Sequence, residues 1–300
     1  MRKNRDFVFL RPVRWLGIGM MAALAVACEK PALDEAPRPD DGEANVILHF
    51  SQYEGEFTTR AATDITEICN RLNIAIFDAD GTKVKTIAQK RDDASYGTVA
   101  LSLVSATYKL VVIAHNCDGS ATISSEEKVT FPNNKVTDTY YYYGDLVVGA
   151  EKQSYDLTLT RAVAMFRLVL TDGSIPASVA KMKFYYLGGS STFSPKDGVG
   201  CVQSKQTEIR SVADDGIYEI YTMPHTEEDV LTKLTVTALD ANDNIIKERI
   251  FENVPIIRNQ VTRYTGSFFG SGGGGGGETG SGDFRMTADP DWDAVNGYTF

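Results

Sequence analysis

The sequence has few of the residues, and none of the motifs, on which most enzyme chemistry depends. It contains three histidines with no His-x-x-x-His pair, and four cysteines with no Cys-x-x-Cys pair. Neither a Gly-x-Ser-x-Gly nucleophile elbow nor a Gly-rich phosphate loop is present. An Asx-rich segment at 240–244 offers oxygen ligands for Ca²⁺, but a hairpin turn explains it better. We therefore predict that the protein is not an enzyme and needs no cofactor or metal.

Basic clusters are also missing from most of the chain. There are 30 Lys and Arg against 40 Asp and Glu, a formal net charge of −10, and the basic residues beyond the N-terminus are scattered. Nucleic acids and anionic lipid surfaces are bound by concentrated positive charge. We therefore expect no nucleic-acid partner.

An uncharged apolar run lies near the N-terminus, from Trp15 to Ala27, and it ends directly before Cys28. Five basic residues precede the run: Arg2, Lys3, Arg5, Arg11 and Arg14. A basic start, a short apolar middle and a small-residue exit are typical of a secretory signal peptide, and the run is shorter than the roughly 20 residues of a membrane span. The cysteine at the exit makes the segment resemble a lipoprotein lipobox, which implies removal of residues 1–27 and lipid attachment at Cys28. An ordinary signal peptide with an incidental cysteine is the alternative.

Residues 28–44 predict an acidic tether. The segment is rich in Pro, Asp, Glu and Ala, and it contains almost nothing to bury. Its acidic residues are Glu29, Asp34, Glu35, Asp40, Asp41 and Glu43. Loss of residues 1–27 would remove five positive charges and one negative charge, which changes the formal net charge from −10 to −14.

Short apolar segments recur from residue 45 to residue 270, about every 10 to 20 residues, with few long helical patterns. Asn73–Asp78 and Val84–Ala88 predict the two arms of a hairpin around Asp80-Gly81, and Tyr108–His115 predicts a strand buried on both faces. This spacing predicts an all-β fold of two tandem antiparallel β-sandwiches, over residues 45–161 and 162–270.

Three cysteines follow Cys28 at wide spacings: Cys69, Cys117 and Cys201. Zinc sites use close pairs, so metal binding is disfavoured. An odd number of thiols in an exported chain leaves their pairing open, and we favour core thiols over a disulfide.

The end of the chain differs from the rest. Residues 271–282 are nearly all Gly and Ser, which predicts a flexible linker, and the tail 283–300 alternates like a β-strand. The candidate donor-strand residues on one face of this tail are Phe284, Met286, Ala288, Trp292, Ala294, Tyr298 and Phe300. A tethered strand of this kind buries its rings either by folding back on its own domain or by adding to the sheet of another chain.

Four consecutive tyrosines, Tyr140–Tyr143, allow two interpretations. Exposed rings would form a platform on which sugars stack. Alternatively, and in our preferred interpretation, they lie in a strand whose alternate rings face the core and the solvent.

Several motifs follow one another in an order that resembles a known family. After the lipobox come Phe57–Ala62 (Phe-Thr-Thr-Arg-Ala-Ala), Tyr142–Asp145 (Tyr-Tyr-Gly-Asp) and Arg258–Gly266 (Arg-Asn-Gln-Val-Thr-Arg-Tyr-Thr-Gly). Together they resemble the fimbrillin superfamily, and within it the FimB/Mfa-type fimbrial accessory or anchor subunits. The resemblance implies transthyretin-like sandwich domains and export as a lipoprotein to the outer membrane of a Bacteroidetes-type bacterium, where an acidic tether similar to this one accompanies surface exposure.

The resemblance also implies a mode of assembly. In polymerising members a trypsin-like protease cuts after an N-terminal arginine, which removes the first strand and opens a groove for a neighbour's strand. The matching cleavage site here is Arg60–Ala61. Anchor-type members keep their lipid, so cleavage at Arg60 is left open.

Two functions from different classes follow. The first is a non-enzymatic fimbrial subunit, an anchor or minor component, that is held in the outer membrane by lipid on Cys28. It joins other fimbrial subunits by strand addition and contributes to cell adhesion. The second is a surface lipoprotein that binds glycan or a host ligand through exposed aromatics at Tyr140–Tyr143 and Trp292.

Overall fold

The computed structural model describes residues 44–52, 64–270, 292 and 294–300. Regular structure in these residues is β-strand except for helix α1 (Ile65–Ile68) and a 3₁₀ turn at Pro132–Asn134. The first half contains β1 (Val46–Gln52), β2 (Arg71–Phe77), β3 (Lys83–Lys90), β4 (Thr98–Leu101), β5 (Ala106–His115), β6 (Thr122–Ser125), β7 (Lys128–Thr130), β8 (Thr139–Val148) and β9 (Gln153–Arg161). The second half contains β10 (Ala164–Leu170), β11 (Lys181–Leu187), β12 (Thr192–Ser194), β13 (Val199–Gly200), β14 (Lys205–Ser211), β15 (Ile217–Thr222), β16 (Asp229–Leu239), β17 (Ile245–Ile256), β18 (Gln260–Gly266) and β19 (Ala294–Thr299). The all-β prediction is confirmed.

Seven of the first nine strands, all except β6 and β7, form an N-terminal sandwich. One sheet has the order β9-β1-β4 and the other the order β3-β2-β5-β8. They join at one corner, where Tyr140 and Tyr141 of β8 pair with Arg161 and Thr160 of β9. Pairing is antiparallel except between β1 and β9, which run parallel, so the purely antiparallel prediction is wrong for this pair.

The C-terminal sandwich repeats this strand order. β10 lies between β15, to which it is antiparallel, and β18, to which it is parallel, as β1 lies between β4 and β9. The opposing sheet, β14-β11-β16-β17, corresponds to β3-β2-β5-β8. The sandwiches differ at one edge, because β9 meets β8 whereas β18 pairs with β19. The predicted boundary between residues 161 and 162 falls between β9 and β10.

Three apolar clusters stabilise the described fold. The N-terminal core includes Leu48, Phe50, Leu72, Ile74, Leu110, Val112, Tyr140 and Leu159. The C-terminal core includes Phe166, Leu168, Met182, Phe184, Ile220, Val236, Phe251 and Phe268. The middle cluster draws on both halves and includes Phe77, Val111, Ile113, Phe131, Met165, Phe193, Val261 and Trp292.

The middle cluster explains why β2 and β5 are buried on both faces. One face of β5 packs into the N-terminal core through Leu110 and Val112, and the other packs into the middle cluster through Val111 and Ile113. The prediction of a strand buried on both faces is confirmed for Tyr108–His115. A short sheet, β13-β12-β7-β6, adds a second connection, because β7 from the first half pairs with β12 from the second.

The predicted hairpin between β2 and β3 is also confirmed. The Asp78 carboxylate accepts the backbone N–H groups of Asp80 at 3.0 Å and Thr82 at 2.8 Å, and Gly81 adopts φ = 76°. An Asx turn that ends in a left-handed glycine reverses the chain within a few residues.

His115, at the end of β5, is fully buried and has two distinct ring nitrogens. Nδ1 accepts the backbone N–H of Cys117 at 3.0 Å and is therefore unprotonated, whereas Nε2 donates to Asn73 Oδ1 at 2.9 Å. Burial, with a smaller contribution from Arg71, lowers the pKa of His115 to about 4. The neutral ring thus connects β5, β2 and the loop that follows β5.

We predict that His115 makes the fold acid-sensitive. Its folded-state pKa lies below the ordinary value of about 6.5, so on acidification the unfolded chain binds a proton first. The stabilisation of the folded state is fully present above pH ~6.5 and is lost as the pH falls towards 4, by at most about 3.5 kcal/mol at ~1.4 kcal/mol per pKa unit. Urea unfolding between pH 7 and pH 4 should show a shallower pH dependence for His115→Gln than for the wild type.

The exposed His49 provides the control for this measurement. His49→Gln should keep the wild-type dependence of unfolding free energy on pH. Identical slopes for His115→Gln and the wild type would contradict the assignment.

Candidate strand-exchange site

Several residues singled out in the sequence lie outside the described part of the chain: Cys28, Arg60, Ala61, Phe284, Met286 and Ala288. The predictions at these positions stay predictions. The backbone of Ala294 and the side chains of Trp292, Tyr298 and Phe300 are described. They lie along one edge of the C-terminal sandwich, with Trp292 at one end and Phe300 at the other.

β19 forms that edge by pairing with β18. The two strands run parallel, with Gln260 opposite Ala294 at one end and Thr265 opposite Thr299 at the other. The Phe300 N–H donates to the Thr265 carbonyl at 3.2 Å. Of the two outcomes left open for the tail, the structure has the fold-back, in which β19 satisfies backbone groups of β18 that an edge strand would leave unpaired.

Trp292 precedes β19 and fills a socket between the two sandwiches. The Arg161 guanidinium lies 3.9 Å from the indole centroid, and the Tyr221 ring lies 6.3 Å away, tilted by 32°. Trp292 is buried, with 8% of its surface exposed. A cation held against an indole and shielded from water gives one of the stronger cation–π contacts, worth about 2 kcal/mol.

Arg161 is the centre of this socket and is itself buried. Its Nε donates to Asp138 Oδ1 at 2.8 Å, its Nη1 donates to Asn259 Oδ1 at 2.9 Å, and its Nη2 donates to the Tyr140 hydroxyl. Burial alone would lower the pKa of Arg161, but the Asp138 carboxylate raises it overall, so the group stays charged. One side chain therefore joins β9, the loop before β8, the loop before β18 and the tail.

The other end of β19 docks through two rings. Tyr298 stacks on Tyr264 with centroids 4.8 Å apart and planes 18° apart. Phe300 meets Phe251 edge-on at 5.2 Å, and the Arg249 guanidinium lies 5.4 Å from the Phe300 centroid. Stacked and edge-on arrangements are the favourable geometries for aromatic pairs.

Gly266, the last residue of β18, makes room for this end of the tail. A Cβ at position 266 would lie 2.2 Å from the Phe300 backbone oxygen, far inside van der Waals contact. The position therefore needs glycine for close approach of the backbone. By contrast, a Cβ on the exposed Gly173 would have nothing within 4 Å.

The prediction that the bulky tail residues share one face is wrong for Trp292. β19 begins at Ala294, so the strand alternation does not reach position 292. Trp292 packs into the middle cluster, whereas Phe300 packs against the C-terminal core and Tyr298 stacks on Tyr264 at the same core.

β1, the strand that cleavage at Arg60 would release, is central in its sheet. It lies between β4 and β9, and Val46, Leu48 and Phe50 are buried in the N-terminal core. Loss of such a strand would leave a groove with two unpaired edges and three empty side-chain positions.

The tyrosine run does not form a sugar platform. Tyr140 and Tyr142 pack on the N-terminal core, and Tyr141 and Tyr143 pack on the middle cluster. Tyr140 is 2% exposed and the other three are half-buried. The glycan hypothesis required exposed rings here and at Trp292, and it is wrong on this point. The core-and-solvent interpretation is also wrong, because the second face of the sheet is covered.

The three described cysteines are all free thiols. Cys69 and Cys117 are buried, as predicted, and burial raises the pKa of both. Cys201 is exposed, so the core interpretation is wrong for this residue.

Sequence analysis missed Arg161 as part of the site. The signal was available, because Leu157, Leu159 and Arg161 occupy alternate positions of β9 and the first two face the N-terminal core. A charged residue at the next inward position of a strand indicates a buried ion pair.

Residues 38–296 match the family described as fimbrillin-A associated anchor proteins Mfa1 and Mfa2. The chain belongs to this family. The predicted likeness to fimbrial anchor subunits is thereby confirmed, and the family consists of fimbrial structural proteins rather than enzymes.

The solved structures to which the chain is similar include fimbrial proteins and adhesins. The fimbrial anchor protein Mfa2 from Porphyromonas gingivalis is 10% identical with a TM-score of 0.39, covering 69% of this chain and 82% of that chain. A putative adhesin from Bacteroides ovatus is 13% identical with a TM-score of 0.47, covering 70% and 78%. The tip fimbrial protein Mfa3 from Porphyromonas gingivalis is 8% identical with a TM-score of 0.40, covering 75% and 94%. No curated protein sequence matches the chain.

In the part of the chain that the structure describes, no helix has the length and apolarity to cross a membrane. Within the same residues, no group of His, Cys, Asp or Glu is arranged to hold a metal ion.

We predict that Gly266→Ala undocks the tail while leaving both sandwiches folded. The added methyl group meets the Phe300 backbone, so Phe300 loses Phe251 and the end of β19 frays. Chemical unfolding should show a loss of about 2 kcal/mol, similar to that of Trp292→Ala, which removes the contact with Arg161.

Gly173→Ala is the matched control, and its unfolding free energy should stay within about 0.5 kcal/mol of the wild type. The exposed Ile245 on β17 gives a control for Trp292, as Ile245→Ala removes apolar surface away from the tail. Equal stabilities of Gly266→Ala and Gly173→Ala would contradict the docking described above.

Proposed function

We propose that this family member is a fimbrial subunit, an anchor or minor component, that joins its neighbours by exchanging β-strands. The observation that carries the proposal is the last strand. β19 completes the edge of β18, yet residues 271–291 separate it in sequence from the sandwich that it covers. A strand held in this way can leave without removing any other element of the described fold.

The chemistry of the tail suits donation. β19 supplies a row of backbone hydrogen-bonding groups, and its aromatic side chains provide affinity and register. Strand addition to an open sheet edge gains affinity from the backbone bonds and specificity from alternate side chains. We therefore assign donation to the tail 283–300, in which Trp292, Tyr298 and Phe300 are the described anchors.

The N-terminal sandwich supports the complementary half of the exchange. β1 is parallel to β9 and antiparallel to β4, and its apolar residues are buried. A subunit that had lost this strand after cleavage at the position of Arg60 would carry unpaired backbone groups, each costing about 1–3 kcal/mol if buried without a partner. An incoming strand would satisfy them together.

Export as a lipoprotein completes the proposal. The basic start, the apolar run to Ala27 and Cys28 support lipid attachment to the outer membrane, and the acidic tether 28–44 supports surface exposure. Several acyl chains anchor a protein stably, because each buried methylene contributes about 0.8 kcal/mol. Retention of the lipid would make this chain the membrane end of a fimbrium, where it contributes to adhesion by holding the fibre.

The experiment compares three chains expressed in a fimbriated host that lacks the native gene: wild type, a chain without residues 283–300, and Cys28→Ser. Fimbriae sheared from the cells and the membrane fraction are probed separately, after palmitate labelling. The tail-less chain should keep its lipid label and its place in the membrane but lose its association with fimbriae. Cys28→Ser should lose the label and the membrane association.

Gly173→Ala provides the control for expression and folding in the same assay. Fimbrial association of the tail-less chain at the wild-type level would refute strand donation by the tail. Unchanged palmitate labelling of Cys28→Ser would refute lipid attachment at that residue.

A further inference from the structure

We propose that the edge of β18 is itself a strand-acceptor site, which takes the C-terminal segment of a second copy of this chain in the register that β19 occupies in its own. The inference rests on the proposed strand exchange and deepens it. It adds an acceptor in the C-terminal sandwich to the one that loss of β1 would create in the N-terminal sandwich.

The recognition elements of this site all lie outside the tail. Arg161 and Tyr221 form the socket for Trp292. The Tyr264 ring stacks on Tyr298. Gly266 leaves space for Phe300 beside Phe251. Gln260 adds a specific polar contact, accepting a hydrogen bond from the Asn296 side chain at 3.0 Å. The site thus selects a tryptophan and, six and eight residues later, two further aromatic rings.

The chain connection does not restrict the site to its own tail. Within one chain the tail must return from the Gly266 end of β18 to the Gln260 end, a distance of about 20 Å at ~3.3 Å per residue. The 21 residues at 271–291 could span about 70 Å when extended. The same contacts are therefore available to a tail that comes from a neighbouring molecule.

When the tail leaves, β18 is exposed as an unpaired edge that favours binding of another strand. Departure of the tail uncovers the row of β18 backbone groups and removes the indole from the buried, charged Arg161. Edge strands with uncovered backbone groups pair with other chains. Arg161 keeps its hydrogen bonds to Asp138 and Asn259 but loses its cation–π contact with the indole. A molecule that donates its tail therefore becomes an acceptor for another tail.

Effective concentration decides which tail occupies the site. A short tether holds a tail near its own site at millimolar effective concentration, so self-occupancy prevails in dilute solution. Molecules crowded on one surface would exchange tails. We therefore expect exchange between copies to rise steeply with protein concentration.

Disulfide trapping tests this inference with the full chain. Thr265 and Thr299 are register partners, with Thr265 half-buried and Thr299 exposed. Neighbouring strands bring such pairs to within disulfide reach, about 5 Å between Cα atoms. The acceptor chain carries Thr265→Cys, and the donor chain carries Thr299→Cys. Both chains also carry Cys28→Ser and Cys201→Ser, so that the only native thiols left are the buried ones. Equal mixtures are oxidised mildly at increasing concentration.

A disulfide-linked heterodimer should form in a concentration-dependent manner. Trp292→Ala in the donor should lower its yield at least tenfold, because it weakens the incoming tail but not the acceptor's own, whereas Ile245→Ala in the donor should leave it unchanged. An acceptor with Lys85→Cys, on exposed β3, measures random collision. A single dilute chain carrying both Thr265→Cys and Thr299→Cys should close internally without dimer.

A yield no greater than that of the Lys85→Cys control, or one insensitive to Trp292→Ala, would overturn the inference. If the tail-less chain still loses fimbrial association in that case, strand donation stands and only the β18 acceptor is refuted. If trapping succeeds but the tail-less chain associates normally with fimbriae, the acceptor stands and the proposed function is refuted.

Discussion

The arrangement of the described strands depends on the buried charge of Arg161. A guanidinium taken out of water is costly unless its donors are satisfied. The groups that contact it come from separate segments: Asp138 before β8, Tyr140 in β8, Asn259 before β18, and Trp292 from the tail. Arg161 thus contacts both sandwiches and the tail, and it acts together with the middle cluster and the β7–β12 pair, which also join the two halves.

The repeated strand order gives the strand-exchange account its physical basis. β1 runs parallel to β9, and β10 and β19 both run parallel to β18. Each sandwich therefore contains one strand, β9 or β18, that pairs in parallel with a strand distant in sequence. β19 runs parallel to β18, just as β1 runs parallel to β9. A donated tail could therefore take the place of β1 in a neighbouring subunit with the same strand direction.

Much of the fold could be predicted from local sequence patterns. The predictions that were wrong concerned contacts between residues that are far apart in the sequence. The Asp78–Gly81 turn and the continuous apolar run of β5 are local signals, and both were predicted correctly. The parallel β1–β9 pair was not, because alternation indicates a strand but not its partner. The half-buried positions of Tyr141 and Tyr143 depend on the middle cluster, which brings in Phe193 from the other half of the chain. The role of Arg161 depends likewise on Asn259 and Trp292.

The central claim is that the last strand is docked on β18 but can leave without unfolding the sandwich. Native-state amide hydrogen exchange measures this directly. The amides of residues 294–300 should be protected, but should exchange through a local opening of lower free energy than that of β11 and β16, whose amides we expect to exchange only on global unfolding. Exchange of residues 294–300 at the global free energy would contradict the claim, and so would a complete lack of protection there.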